Sequence, residues 1–290
     1  MAFDAATVLL GWAVGGLAFL WVTVRRRELG LGYGWLLRGI FAALAVGAAV
    51  VAVRWPYEVV AGGAAGAGGA AGAGSGAATI AATSAVLVAL LVAVAALAAL
   101  AGTVVVRRDG AWRRVATAAE TRPNADLVAP LAGAVGLVVL ALAQGDAADA
   151  GAGPTALHAV RLLVGAAFLG ALTDAMLLGH WYLVQPGLRR DPLLEMVRWL
   201  RRLWPLEIAV LLVPVGMASV LTGSIDDGYG GLLGWFWAAC AATTIVLTLV
   251  ARAALAERQY AAVMAATGLL YLAILSGFGT DLVARLVLAA

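Results

Sequence analysis

Seven ionisable side chains stand inside long apolar runs of this chain, all of them in its second half. They are His158, Arg161, Asp174, His180, Glu207, Asp281 and Arg285. A charge in a membrane-spanning helix costs at least about 2.5 kcal/mol, so ionisable residues inside a bilayer are the first candidates for function. The apolar runs of residues 1–150 hold few counterparts beyond residues at their ends, such as Arg38. We therefore expect the chemistry of this protein in residues 151–290.

Four of these side chains belong to one run, residues 155–185. At 1.5 Å per residue, His158 and His180 are about 33 Å apart along a helix. The two histidines are about 40° apart on a helical wheel, whereas Asp174 is about 160° from His158. We expect both histidines to face one crevice and Asp174 to face another neighbour.

Matching residues by their depth in the predicted spans gives three groups. The outer group is an ion-pair cluster of His158, Arg161, Asp226, Asp227, Asp281 and Arg285. The middle group surrounds the carboxyl of Asp174 and contains Thr173, Thr243 and Thr244, with Pro214 nearby. The inner group contains His180, Trp181, Tyr182, Glu207 and Met264. Each group predicts a different site.

The inner group suggests a redox cofactor. His is the usual haem ligand, Met can be the second, and Arg161 has the charge to hold propionates. A pair of bis-His haems needs four histidines and the chain has two, which leaves one His/Met haem b near His180 or a site completed by another subunit. A quinone needs less, because His180 and Glu207 with an aromatic wall would suffice. The sequence therefore predicts a membrane subunit of a respiratory or other electron-transfer assembly.

Two alternatives remain open. In a proton- or cation-coupled transporter, Asp174 would act near the midplane, with Pro214 and residues 276–280 as helix breaks. Residues 1–150 do not repeat the polar pattern of the second half, which weakens an inverted-repeat argument. In the other alternative the chain is a structural accessory subunit. The sequence has no HExxH or GxSxG motif, so we expect no independent catalytic activity. Its single cysteine, Cys240, excludes an internal disulfide.

The composition identifies the solvent that surrounds the chain. Of the 290 residues, 64% are apolar and 12% are charged, against about 45–50% and about 25% in ordinary globular domains. Apolar runs of about 20 residues predict eight spans, and backbone hydrogen bonding in lipid makes them helices. They are residues 5–24, 35–54, 80–106, 126–145, 155–185, 204–223, 231–254 and 259–288. The prediction is an all-α polytopic bundle with spans 1–4 in residues 1–150 and spans 5–8 in residues 151–290. The Gly/Ala-rich residues 61–84 are predicted to form an outer loop or, alternatively, a frayed extension of span 3.

The arginines predict the orientation of the bundle. All 19 basic residues are arginine, a bias typical of a GC-rich bacterial genome, and 16 of them fall on alternate connections. The positive-inside rule makes these connections cytoplasmic and puts both termini outside, in a bacterial inner membrane. Within span 1, the spacing of Gly11 and Gly15 predicts close approach of another helix.

Residues 191–203 predict an amphipathic helix before span 6. Asp191 can cap it with Pro192 at its first position. We expect the helix to lie flat on the inner leaflet, with its charged face on anionic headgroups or, alternatively, docked to another membrane subunit or a second copy. The charged face consists of Glu195, Arg198, Arg201 and Arg202.

Overall fold

A computed structural model of the chain describes residues 5–26, 28–54, 73–108, 126–147, 151–212 and 216–288. Within these ranges the regular structure is helical and contains no strand, so the protein is an all-α polytopic bundle. The nine helices of the described residues are α1 Ala5–Val24, α2 Leu31–Arg54, α3 Ala73–Arg108, α4 Val128–Ala147, α5 Ala152–Val184, α6 Asp191–Leu212, α7 Met217–Leu221, α8 Leu232–Ala256 and α9 Tyr260–Val287.

Seven of these helices are long and apolar enough to cross a membrane: α1, α2, α3, α4, α5, α8 and α9. The chain is therefore a multi-pass membrane protein. The sixth predicted span, residues 204–223, is divided between the end of α6 and the short α7. The predicted count of eight and the orientation with both termini outside stay predictions.

The predicted interfacial helix is not a separate element. It forms the first half of α6, which continues through Pro205 to Leu212. Its N-terminal part lies at the end of α1, where Glu195 accepts hydrogen bonds from Arg25 at 2.5 Å and Arg26 at 2.7 Å. Glu195 is thus buried against α1 and does not share the charged face, whereas Arg198, Arg201 and Arg202 are exposed. The ion pairs with Arg25 and Arg26 explain why Glu195 does not lie on the exposed face that the helical wheel predicted.

Helices α1 and α5 are the most enclosed spans of the bundle. Helix α1 packs against α2, α4 and α5, and α5 also contacts α4, α6 and α9. Close approach depends on glycines, because a Cβ added at Gly170 would lie 2.1 Å from the carbonyl carbon of Gly15. The spacing of Gly11 and Gly15 therefore gave the correct prediction that another helix, here α5, lies against this face.

The predicted Gly/Ala loop, residues 61–84, is described only in its second part. Residues 61–72 lie outside the described ranges, and the chain is helical from Ala73 onward as the first turns of α3. The end of the predicted loop is therefore an extension of the third span.

Candidate functional site

A cluster of two carboxyls and two arginines lies in the interior where α5, α6 and α9 meet. It consists of Arg161 on α5, Glu207 on α6, and Asp281 and Arg285 on α9; we call it the carboxyl cluster. Glu207 is 0% exposed, Asp281 1% and Arg161 7%. Water therefore does not compensate these charges, and the groups must compensate one another.

Each arginine of the carboxyl cluster donates a hydrogen bond. Arg285 Nε donates to Asp281 Oδ2 at 2.7 Å, one turn away on the same helix. Arg161 Nε donates to the carbonyl oxygen of Val210 at 2.7 Å, near the end of α6. The guanidinium of Arg161 thereby links the first part of α5 to the last turn of α6.

The carboxyl of Glu207 lies near that of Asp281, and both arginines are close enough to act on it electrostatically. Neither Glu207 oxygen receives a hydrogen bond from an N–H or O–H group of the described residues. The Glu207 carboxyl therefore has charged neighbours but no hydrogen-bond donor among the described residues.

Gly165 on α5 makes room for the ion pair of α9. A Cβ added at this position would lie 2.7 Å from Arg285 Nη2 and 2.7 Å from Asp281 Oδ1. The missing side chain lets both charged groups approach the backbone of α5. Nothing in the sequence pattern singled out this glycine.

The position of Glu207 corrects its assignment to the inner group. A span beginning at residue 204 would place Glu207 at the cytoplasmic end. Helix α6 begins at Asp191, so Glu207 stands 16 residues along it, about 24 Å from that end. The carboxyl therefore lies with Arg161, Asp281 and Arg285, which were predicted for the outer group.

The two histidines contact different helices and do not face one crevice. His158 Nε2 is 2.7 Å from Gln144 Oε1 on α4. His180 is exposed, and its Nδ1 lies 3.5 Å from the hydroxyl of Tyr271 on α9. The 40° separation on the helical wheel did not predict a common crevice, because the helices that neighbour α5 change over about 33 Å of helix between the two histidines.

The remaining residues of the inner group are used separately. Tyr182 donates its hydroxyl proton to the carbonyl of Arg189, and Trp181 Nε1 donates to Gln185 Oε1 at 3.1 Å. Met264 is 51% exposed on α9. Tyr182 and Trp181 therefore have partners other than His180 and Glu207.

Asp174 is fully buried, and neither of its oxygens has a hydrogen-bond partner among the described residues. Tyr33 of α2 lies within electrostatic range of this carboxyl. Thr243 is exposed on α8, while Thr244 Oγ1 is hydrogen-bonded to Cys240 O and to Ser276 Oγ, both at 2.8 Å. The predicted middle group is not assembled, because α8 packs on α9 and α6 and its threonines bond there.

Asp226 and Asp227 do not join the ion pairs of the outer group. The Asp227 carboxylate accepts backbone N–H groups of Tyr229 at 2.9 Å, Gly231 at 2.8 Å and Leu233 at 2.8 Å, which caps the start of α8. Desolvation acts to raise the pKa of Asp227, but hydrogen bonds from Gly231, Tyr229, Leu233 and Gly234 outweigh it and hold the pKa below its ordinary value.

One polar pair in the first half was missed by the sequence analysis. Arg38 on α2 is buried and forms a salt bridge of 2.7 Å with Asp126, directly before α4. Arg38 was taken for a residue at the end of its span. The only available signal was that Asp126 opens the fourth apolar run with the opposite charge.

The chain was compared with protein-family models, with curated proteins and with solved structures, and none of them matches it.

Proposed function

We propose that this protein is a proton-handling membrane subunit, of the kind that electron-transfer assemblies contain, in which Glu207 and Asp281 bind and release a proton. The observation that supports the proposal most is the burial of these two carboxyls near each other, flanked by Arg161 and Arg285. Ionisable groups inside the membrane are typical of proton relays.

The charges of the carboxyl cluster suit reversible protonation. Two carboxylates and two guanidinium groups have a net charge of zero, and one added proton raises it to +1. Two carboxylates in contact repel each other, which favours taking up a proton, while the two arginines favour its release.

No cofactor is assigned in this proposal. The residues predicted to hold haem b or a quinone, His180, Trp181, Tyr182 and Met264, lie apart from Glu207 and have separate partners. From the sequence we also expect a bacterial inner membrane, partner membrane subunits, and anionic headgroups at the exposed arginines of α6.

A second candidate function, coupled transport, has support from one observation. Asp174 is 0% exposed and its oxygens have no donor among the described residues. An ionised carboxylate there would cost several kcal/mol without a compensating cation or proton. Asp174 would then bind the coupling proton or cation at mid-depth.

Infrared difference spectroscopy of the protein in lipid nanodiscs tests both candidates. The carbonyl stretch of protonated carboxyls is recorded while the pH is changed. We expect a band that shifts or disappears in Glu207→Gln and in Asp281→Asn and stays in Asp174→Asn. The matched control is Glu257→Gln, an exposed acid after α8.

The outcomes separate the alternatives. A band removed only by Asp174→Asn supports the second candidate, and a spectrum that neither Glu207→Gln nor Asp281→Asn changes overturns the first. Circular dichroism of each variant shows whether the bundle is retained. Gln and Asn keep the shape of the side chain, so folding is expected to survive in at least one variant of the pair.

A further inference from the structure

A cavity of about 270 Å³ lies in the first half of the bundle, away from the carboxyl cluster. Its walls come from Leu17 and Leu20 of α1, a run of alanines between Ala95 and Ala99 on α3, and the start of α4. Alanine side chains on α3 leave space that longer residues would fill. Most of the wall is apolar.

The polar part of the cavity is the salt bridge between Arg38 and Asp126. Arg38 Nε and Nη2 donate to Asp126 at 2.7–3.1 Å, and Nη1 takes no part in this pair. The Arg38 side chain is 8% exposed and that of Asp126 21%. The pair is neutral as a whole, and both of its residues line the cavity.

The cavity reaches the outside of the bundle near α4. Val128 lines it and is 62% exposed. In a membrane this surface is covered by lipid, so a ligand would enter laterally from the bilayer. The ligand must then be soluble in lipid.

The size and charge of the cavity define the class of ligand. An apolar cavity of about 150 Å³ binds a benzene molecule, so this one accommodates a substituted six-membered ring and the start of a chain. A neutral ion pair offers little net attraction to a charged headgroup. It can donate a hydrogen bond to a carbonyl oxygen and accept one from a hydroxyl group.

From these observations we propose that the cavity beside Arg38 and Asp126 binds an uncharged, membrane-soluble ring compound with carbonyl or hydroxyl groups and an apolar tail, the class of the isoprenoid quinones. The ring lies against the ion pair and the tail follows the alanines of α3 toward the lipid. This site does not depend on the carboxyl cluster or on the function proposed for it.

Binding of a decyl-substituted benzoquinone to the purified protein in detergent micelles tests the proposal by isothermal titration calorimetry. Ala99→Phe fills the cavity and is expected to abolish binding. Ala101→Phe is the matched control, because Ala101 is exposed on the same helix and does not line the cavity. Glu207→Gln is expected to bind the probe as the unchanged protein does, which separates this test from that of the carboxyl cluster.

The double variant Arg38→Met with Asp126→Leu tests whether the ion pair recognises the ring. Replacing both partners leaves no unpaired buried charge, so the bundle is expected to stay folded. Loss of hydrogen bonds from a charged group predicts binding weakened by about tenfold or more. Equal binding in the double variant, equal binding in Ala99→Phe and Ala101→Phe, or displacement of the probe by phosphatidylglycerol but not by a second quinone would each overturn the proposal.

Discussion

Arg161 donates from Nε to the carbonyl oxygen of Val210, 49 residues later in the chain, at 2.7 Å. In an uninterrupted helix this carbonyl accepts the N–H of the residue four positions on. That residue is Pro214, which has no N–H. Because α6 ends at Leu212, the carbonyl of Val210 lies in its last turn, and a guanidinium from α5 donates to it.

Replacing Arg161 by Met removes this bond and one of the two cations beside Glu207 and Asp281. Breaking a buried charged pair on one side costs about 3–5 kcal/mol, so the free energy of unfolding should fall by that order. Titration of the purified protein with a denaturing detergent measures the change. Arg252→Gln, an exposed arginine on α8, should have little effect.

The fall in the free energy of unfolding caused by Arg161→Met should be smaller when Glu207→Gln is also present. The reason is that Glu207→Gln removes the carboxylate that Arg161 compensates. A double-mutant cycle gives this coupling. Additive effects of the two substitutions would contradict an interaction between Arg161 and Glu207.

Gly165→Ala is expected to disturb the ion pair of α9. The added Cβ would come within 2.7 Å of both Arg285 Nη2 and Asp281 Oδ1, and relieving this overlap should cost about 1–3 kcal/mol. Gly268→Ala is the control, since a Cβ at Gly268 of α9 meets nothing within 4 Å. There, alanine should stabilise the helix by about 0.5–1 kcal/mol. Thermal unfolding by circular dichroism distinguishes the two, and equal shifts would contradict the geometry.

The cap of α8 should weaken in acid. The pKa of Asp227 in the folded protein lies below the ordinary value of 3.8, so its contribution is fully present above about pH 4 and is lost as the pH falls through the lower folded pKa. Asp227→Asn should lose the charge-dependent part at every pH. Amide hydrogen exchange at Leu233 and Gly234 should be faster in this variant than in Asp226→Asn, because the Asp226 carboxylate accepts the N–H of Gly228, which lies before α8. Equal exchange would argue against the cap.

Arg190 holds the connection between α8 and α9. Its guanidinium donates to the carbonyl of Glu257, to that of Arg258 at 2.8 Å and to that of Gln259 at 2.9 Å. Arg190→Gln should loosen this connection and speed cleavage by trypsin after Arg258. Arg189→Gln removes a neighbouring arginine that pairs only locally with Asp191 and should leave the cleavage rate unchanged. Protection of Arg258 in both variants would contradict the role of Arg190.

The elements of the bundle were predictable because the solvent is lipid. A span is a local property, a run of about 20 apolar residues whose backbone must bond to itself, and α1, α2, α4, α5, α8 and α9 follow the predicted runs closely. Span 6 was the exception, since its helix begins 13 residues earlier, in a segment with too many arginines to be counted as apolar. That one boundary misplaced Glu207 by several turns.

The sequence by itself determined that the chain is an all-α membrane protein, that its second half has most of the intramembrane charge, and that a helix packs closely against Gly11 and Gly15. The tertiary structure alone decided that Glu207 meets Asp281, that Arg38 pairs with Asp126, and that His158 and His180 turn to different helices. The reason is physical. Span formation depends on neighbours along the chain, whereas a side chain's partner depends on the order and rotation of helices around the bundle, which no spacing within one helix specifies.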